Sequence, residues 1–288
     1  MKWINRNDSE KNYEARRGRG IKRGAIGGIG VLIVVVIALL LGQNPLELLN
    51  LANSVAPGEQ TEVYDSARAT ENEDLKVLSL GVFNSANDVW ETIFNEQLNR
   101  EYRRPVFVTF TDQTISECGG ATASTGPFYC QLDEKVYIDL SLFHHLSQRF
   151  NAPGDLAMAY VTAHEVGHHV QKLLGTLDQM NEYRGSVSEV EYNRLNVKLE
   201  LQADFFAGLW AHQAQKMGMI LLEPGDLESA IRAAEAIGDD TLQKESQVYT
   251  MPDTLTHGTS VQRTYWFNKG FQTGDIRQGS TFNDPSLN

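Results

Sequence analysis

The chain has 288 residues, of which 41% are hydrophobic and 22% are charged. This is an ordinary globular composition, and the length suits one medium-sized domain with accessory segments or two small domains. The formal net charge is −12, but residues 1–24 carry eight Lys/Arg against three Asp/Glu, whereas residues 43–288 carry 17 against 34. The acidic character of the larger part argues against nucleic acid as a partner.

An uncharged, strongly apolar run follows the basic N-terminal residues. It covers residues 25–42, and these eighteen residues just span the hydrocarbon core of a bilayer. The run predicts one N-terminal transmembrane helix. The basic residues before it favour a cytoplasmic N-terminus, with the rest of the chain in the periplasm or outside the cell. The alternatives are a buried core helix and a cleaved signal peptide, although residues 43–47 lack the small-residue cleavage site that a signal peptide carries.

The rest of the chain divides into a linker, a domain and a tail. Residues 43–75 contain Pro57 and Gly58 and an acidic cluster at 71–74, which is typical of a solvated linker. The predicted organisation is a basic cytoplasmic tail at 1–24, a transmembrane anchor at 25–42, a linker at 43–75, a globular domain at 76–275 and a flexible tail at 276–288.

The predicted elements of the globular domain are mainly helical. Hydrophobic spacing and capping signals predict helices at 84–102, 141–150, 155–174, 188–216, 226–237 and 259–271, and strands at 105–110 and 135–140. The expected fold class is therefore α+β, a mainly helical domain with a small sheet, preceded by the transmembrane helix.

The chain contains two cysteines, Cys118 and Cys130. Their even number and close spacing favour a disulfide if the domain lies outside the cytoplasm. In a reducing compartment the two side chains would instead be free thiols. A cysteine metal site is less favoured, because neither residue belongs to a C-x-x-C pair.

The predicted helix at 155–174 carries the motif H-E-x-x-H, with His164, Glu165 and His168. Positions four apart lie about 40° apart around a helix axis, so both imidazoles project from one face and can hold one metal ion. Glu165 lies on the adjoining face, where it can take a proton from water held by that ion. Neighbouring His169 points away from this face and receives no ligand role.

A catalytic zinc ion needs a third protein ligand and one open position. Glu200 on the next long helix is the predicted third ligand. Asp204 is one turn later, where it can accept the second ring N–H of a ligating histidine. The surrounding residues are apolar, and two bare carboxylates in such surroundings need a reason to be there. Glu191 and His212 are weaker alternatives for the third ligand.

The order of these motifs resembles a known family. HEVGHHVQ at 164–171 followed by ELQAD at 200–204 is similar to the gluzincin pattern, in which a glutamate one helix later completes a zinc site. The chain more closely resembles the bacterial neutral zinc metallopeptidase family, over roughly residues 77–275. Further shared segments are 118–121, 126–130, 136–140 and 257–263. The resemblance implies a zincin-like domain, Zn²⁺ as cofactor and peptidase activity.

The predicted function is a membrane-anchored zinc peptidase that hydrolyses peptide bonds of a protein or peptide substrate, with a zinc-activated water and Glu165 as general base. His257 is a candidate donor to the oxyanion, or else a loop histidine that fixes local hydrogen bonds. By analogy with other zinc peptidases, the substrate would add as a strand to a sheet edge, either near 135–140 or at the cysteine loop.

The sequence is also compatible with three other functions. The first is a non-catalytic, zinc-binding scaffold domain tethered to the membrane. Glu165 argues against it, because a structural zinc site normally has four ligands and needs no base. The second is an interaction domain without metal, and the third is a metal-dependent hydrolase acting on other bonds.

Overall fold

Helices dominate the chain, and its strands are short. The computed structural model describes residues 1–16, 66–111, 113–122, 126–140, 155–236 and 256–287. Helices are α1 (Ser66–Ile93, continued by a π-helical turn at Phe94–Leu98), α2 (Asp155–Leu174), α3 (Thr176–Tyr183), α4 (Glu189–Lys216), α5 (Asp226–Ala236) and α6 (Ser260–Thr273). Strands are β1 (Lys2–Trp3), β2 (Tyr13–Arg16), β3 (Val106–Phe110), β4 (Gln113–Ser116), β5 (Gly119–Thr122), β6 (Phe128–Cys130), β7 (Lys135–Asp139) and β8 (Ile220–Leu221). The predicted α+β class, mainly helical with small sheets, is confirmed.

The largest sheet among the described residues has four strands in the order β2-β3-β7-β6. Strands β2, β3 and β7 run parallel, and β6 is antiparallel to β7. The two central strands are almost completely buried, as parallel strands covered on both faces must be. Two ribbons, β1–β8 and β4–β5, complete the described strands.

The first sixteen residues belong to the same compact unit as the predicted domain. That unit comprises Met1–Arg17 and Thr70–Asn288. Strand β2 pairs with β3 along its whole length, and the N–H of Phe107 donates to the carbonyl of Asn12 at 2.8 Å. A separate cytoplasmic tail was predicted at 1–24. Strand β2 has four residues and its partner lies about ninety positions away. So short a segment shows no hydrophobic periodicity from which a strand could be predicted.

Other predicted segments differ from the structure or lie outside it. The predicted transmembrane run at 25–42 and the predicted helix at 141–150 fall outside the described residues. Among the described helices, none combines the length and apolar character needed to span a bilayer. Helix α1 already starts at Ser66, inside the predicted linker. The predicted tail forms three short 3₁₀ turns, and the hydroxyl of Thr281 donates to the carbonyl of Lys198 on α4 at 2.7 Å.

Helices α4 and α6 pack at unusually close range through two glycines. A Cβ atom added to Gly208 would lie 2.0 Å from the carbonyl oxygen of Phe267, and one added to Gly270 would lie 2.0 Å from that of Phe205. Only glycine permits backbones to approach so closely. This contact fixes α6, the last long helix, against the helix that carries Glu200.

A disulfide joins Cys118 to Cys130, with the Cα atoms 5.8 Å apart. Cys118 lies in the turn between β4 and β5, and Cys130 is the last residue of β6. The bond therefore ties the small ribbon to the end strand of the four-stranded sheet, as the cysteine spacing predicted.

Candidate metal centre

Two histidines of α2 and one glutamate of α4 converge in the interior. His164 Nε2 lies 3.3 Å from Glu200 Oε2, and His168 Nε2 lies 3.6 Å from Glu200 Oε1. One ligand atom from each residue falls within 4.8 Å of the others. In the part of the chain that the structure describes, this is the one group of three such side chains placed to hold a metal ion.

The spacing of these donor atoms suits zinc. Zn–N and Zn–O bonds of about 2.0–2.2 Å in a tetrahedron separate neighbouring ligand atoms by roughly 3.3–3.6 Å. The nitrogen–oxygen distances of 3.3 and 3.6 Å run to the two different oxygens of Glu200. With one ligand atom taken from each residue, the three atoms lie within 4.8 Å of one another, which is close to that spacing. Two imidazoles and one carboxylate are also the donor set that leaves a fourth position open for chemistry.

The close crossing of α2 and α4 brings the three ligands together. The middle of α2 is apolar and buried, so the helix can lie deep in the domain. Gly167 faces α4, where an added Cβ would lie 3.2 Å from the carbonyl oxygen of Ala203. The glycine beside His168 thus permits the approach, and Ala203 follows Glu200 by less than one turn. A glycine inside a helix costs about 1 kcal/mol, a cost that often marks close packing, and this contact is such a packing.

His164 is oriented by a buried carboxylate. Its Nδ1 lies 2.8 Å from Asp204 Oδ1, and a carboxylate acceptor there places the proton on Nδ1 and leaves Nε2 free for a metal. Burial by itself raises the pKa of Asp204, but Arg263 and His164 outweigh it and lower the pKa to about 2. Asp204 therefore remains an anion and an acceptor, in the position that the sequence predicted.

His168 is oriented by an amide that sequence reasoning missed. Its Nδ1 donates to Gln171 Oε1 at 2.8 Å, and the Gln171 amide donates to the carbonyl of Leu199 at 2.7 Å. Leu199 directly precedes Glu200, so this fully buried glutamine links the second histidine to the turn that carries the third ligand. The signal in the sequence was its position, three residues after His168 on the same helix face.

Arg263 and Tyr160 also escaped prediction as site residues. Arg263 on α6 donates to both oxygens of Asp204, and the Tyr160 hydroxyl donates to Oδ1 at 2.5 Å. Tyr160 lies one turn before His164 on the same helix face, so its position in the sequence could have indicated a place near the site. For Arg263, the sequence indicated only a charged residue on the helix that carries Trp266 and Phe267, two fully buried aromatics.

Glu165 is buried, with 7% of its surface exposed. Burial raises the pKa of its carboxyl above the ordinary value of 4.5, although the neighbouring His168 and His164 act in the opposite direction. A carboxylate with a raised pKa is the stronger proton acceptor. The position and the raised basicity both suit a general base.

His169 joins the motif helix to the edge strand β6. Its Nε2–H donates to the carbonyl of Arg103 at 2.6 Å, and its Nδ1 accepts from the Tyr129 hydroxyl at 2.9 Å. Burial lowers the pKa of His169 to about 4, so the ring is neutral and satisfies both bonds. It takes no part in the ligand group, as predicted, and Tyr129 brings β6 alongside α2.

The remaining candidates lie elsewhere. Glu191 is exposed in the first turn of α4. His212 uses its Nδ1 on the carbonyl of Phe271 at 2.7 Å. His257 is exposed, and its Nδ1 lies 3.0 Å from Thr256 Oγ1. The structure therefore brings His164, His168 and Glu200 together and leaves these three outside the ligand group.

Comparison with known proteins gives one family and several relatives. The family described as "Putative neutral zinc metallopeptidase" matches residues 1–282. A protein of Escherichia coli K12, "Uncharacterized protein YpfJ", is 42% identical over 98% of this chain and 99% of its own length. A protein of Mycobacterium tuberculosis H37Rv, "Uncharacterized protein Rv2575", is 36% identical over 87% of this chain and 86% of its own length. None of the solved structures matches.

Proposed function

The chain belongs to the neutral zinc metallopeptidase family, and we propose that it is a zinc-dependent peptidase. Its centre consists of His164, His168 and Glu200, with Glu165 as general base. The observation that carries the proposal is the meeting of three ligand atoms, within 4.8 Å of one another, beside a buried carboxylate of raised pKa. A purely structural zinc site has no use for that carboxylate.

The proposed chemistry assigns one task to each side chain. Zinc, when bound, lowers the pKa of water and polarises a carbonyl group. The Glu165 carboxylate accepts the proton that the attacking water loses and delivers it to the leaving amine. Asp204 and Gln171 keep the two imidazoles in the tautomer that directs Nε2 to the metal.

Strand β6 is the edge of the sheet that we propose for peptide binding. Strand β7 is flanked by β3 and β6, so the predicted edge near 135–140 has no free side for another strand. The alternative prediction, the cysteine loop, includes β6, which ends the sheet among the described residues. An extended peptide can pair with such an edge through its main chain, and Tyr129 holds β6 beside the motif helix.

His257 remains our candidate for the donor that stabilises the oxyanion. Its loop is docked on α4, because Asn196 donates to the carbonyl of Thr256 at 2.8 Å. A Cβ on Gly258 would lie 3.3 Å from Leu201, the residue next to Glu200. The loop therefore lies beside the turn that carries the third ligand, which supports a role for His257 near the substrate.

We also propose that the enzyme is attached to a membrane through the apolar run at 25–42, with the catalytic unit, which we define as residues 70–288, outside the cytoplasm. The disulfide between Cys118 and Cys130 supports that location, because such bonds persist in oxidising compartments. Attachment rests on the composition of the run.

The test is Glu165→Gln in the full chain. Zinc content, measured by mass spectrometry, should equal that of the parent, while cleavage of casein should fall at least about 100-fold, because general acid–base catalysis contributes a factor of that order. Glu191→Gln is the matched control, since it makes the same change on an exposed first turn, and it should leave both readings unchanged.

Two results would contradict the proposal. Equal cleavage by Glu165→Gln and the parent would remove Glu165 from the mechanism. A parent protein that carries one zinc ion but cleaves no peptide, in casein or in a quenched peptide library, would favour the zinc-binding scaffold instead.

A further inference from the structure

Arg263 is a buried guanidinium that reaches the metal centre from α6. Only 2% of its surface is exposed. Its Nε–H donates to Asp204 Oδ2 and its Nη2–H donates to Asp204 Oδ1, both at 2.9 Å. A second bond from Nη2 reaches the Tyr160 hydroxyl at 3.1 Å. The planar fork thus holds both oxygens of one carboxylate in a fixed plane.

This geometry points to a function beyond neutralising a buried charge. Asp204 Oδ1 receives three donors, from His164, Tyr160 and Arg263, while Oδ2 is held by the other arm of the fork. A carboxylate fixed at both oxygens cannot rotate, so Oδ1 stays aimed at His164 Nδ1. We infer that Arg263 is a positioning residue of the metal centre, which sets the orientation of His164 through Asp204.

The position of Arg263 is itself fixed at two points along α6. At the start of the helix, Thr259 caps the first turn in a reciprocal capping box with Gln262. One turn beyond Arg263, the carbonyl of Phe267 lies against Gly208 of α4. The guanidinium therefore cannot slide along α4, and a lysine, which lacks the fork, cannot reproduce two parallel bonds.

The test is Arg263→Lys, with Arg277→Lys as the matched control. Arg277 forms a similar forked pair, from Nε–H to Asp275 Oδ1 and from Nη2–H to Oδ2, but on the surface, with 83% of the side chain exposed. Zinc affinity, measured by competition with a chelator, should fall about 10-fold or more in Arg263→Lys, as for other outer-shell partners. It should stay unchanged in Arg277→Lys. The visible spectrum of the cobalt-substituted protein should also change in Arg263→Lys only.

A structural role would give a different pattern. Asp204→Asn replaces one of the two acceptor oxygens by an NH2 group and so breaks the forked pair through which Arg263 acts. Combining it with Arg263→Lys should therefore lower zinc affinity no further than Asp204→Asn alone. Additive losses would overturn the inference, and so would a folded Arg263→Lys protein with parental affinity and cobalt spectrum. If Arg263→Lys fails to fold, Tyr160→Phe is the second test, because the Tyr160 hydroxyl bonds both to Asp204 and to Arg263. A loss of zinc affinity smaller than the one expected for Arg263→Lys supports the inference, and an affinity equal to that of the parent overturns it.

This inference rests on zinc binding at the proposed centre, and the two can fail separately. A parent protein without zinc affinity would remove the proposed function. Parental zinc affinity in Arg263→Lys would remove the positioning role and leave the peptidase proposal intact.

A second, independent observation concerns residues 1–16. Besides the pairing of β2 with β3, Lys135 bonds to Glu14 at 2.6 Å, and the Asn84 side chain donates to the carbonyls of Asn7 and Ser9 at 2.7 and 3.0 Å. Strand β1 pairs with β8, which follows α4 in the chain. The segment is thus held by several elements of the catalytic unit.

We propose that residues 1–16 and the catalytic unit lie on the same side of any membrane that the protein contacts. A single crossing by residues between 17 and 69 would put β2 and β3 on opposite sides and break the sheet. The predicted topology, a cytoplasmic N-terminus with the rest of the chain outside, and the pairing of β2 with β3 therefore exclude each other.

The test labels single cysteines in cells that express the full chain. Lys11→Cys reports on the N-terminal segment and Leu132→Cys on the catalytic unit, since both positions are exposed. The parent is the background, because its two cysteines are bonded. A membrane-impermeant maleimide should label both variants alike, either before or only after permeabilisation. Labelling of Leu132→Cys in intact cells, with Lys11→Cys labelled only after permeabilisation, would overturn the proposal.

Discussion

The contact between α4 and α6 allows a prediction whose size follows from the structure. In Gly208→Ala the new methyl group would lie 2.0 Å from the carbonyl oxygen of Phe267 and 2.9 Å from the amide nitrogen of Phe271. Both atoms belong to the backbone, so no side chain can rotate away. Because a tolerable contact is at least 3.0 Å, α6 must move away from α4 by roughly 1 Å.

The expected loss combines two effects. Alanine improves helix propensity by about 1 kcal/mol over glycine. Forcing a methyl group against two backbone atoms that cannot rotate away costs about 3 kcal/mol, the upper end of the usual range for overpacking. We expect a net destabilisation of about 2 kcal/mol, which for a domain of this size lowers the melting temperature by about 4–8 °C. The same shift would lengthen the bonds of 2.9 Å between Arg263 and Asp204 beyond the usual limit of about 3.2 Å.

Thermal unfolding followed by circular dichroism and zinc competition titration measure both effects. Gly81→Ala is the matched control, because it lies inside α1 and its methyl group would meet side chains only, chiefly that of Arg6 at 2.9 Å. The Arg6 side chain is 36% exposed and can move aside. Gly81→Ala should therefore melt within a few degrees of the parent. If Gly208→Ala melts at or above the parent temperature with unchanged zinc affinity, the close approach of the two helices is not as described.

Two further predictions concern the ligands. Gln171→Ala removes the acceptor of the His168 Nδ1 proton, so zinc affinity should fall about 10-fold in a competition titration. The control Gln131→Ala alters an exposed amide pair with Asn181 and should leave zinc affinity unchanged. Equal zinc affinities of Gln171→Ala and the parent would contradict the role of Gln171. In the metal-free protein, burial lowers the pKa of His164, but Asp204 and Glu200 outweigh it and raise the pKa to about 10. Zinc must then displace a proton, so its apparent affinity should rise about tenfold per pH unit per proton between pH 6.5 and 9, with release of protons measurable by calorimetry in two buffers; an affinity independent of pH would contradict this.

The same raised pKa fixes the sign of the pH effect on stability. The protonated His164 of the metal-free protein stabilises the folded state below the unfolded pKa of about 6.5, and this contribution is lost as pH rises toward 10. Metal-free protein should therefore become less stable across that window while zinc binding strengthens.

Long elements with strong local signals were predictable from the sequence. The motif helix was expected at 155–174 and is observed at Asp155–Leu174. The next long helix was expected from a capping serine at 188, and Ser188 does accept from the N–H of Glu191. The spacing of His164, His168, Glu200 and Asp204 was also readable, because helical geometry fixes which side chains share a face.

The features that could not be predicted from the sequence depend on contacts between distant segments. Strands β1 and β2 span two and four residues, too few for a periodic signal, and their partners lie far along the chain. The roles of Gln171 and Arg263 follow from the crossings of α2, α4 and α6. Such crossings are set by side-chain packing over the whole domain, and no single segment contains them.

The metal centre therefore depends on parts of the chain that contribute no ligand. Helix α4 carries Glu200 and Asp204, and the chain after α6 braces it at three places: Gln213 donates to the carbonyl of Gly274, Gln202 donates to that of Gly279, and Thr281 donates to that of Lys198. The last two bonds lie within one turn of Glu200, on either side of it. Because a ligand set loses affinity when its supporting groups shift by even a small distance, Gly274, Gly279 and Thr281 support the metal centre although none of them supplies a ligand.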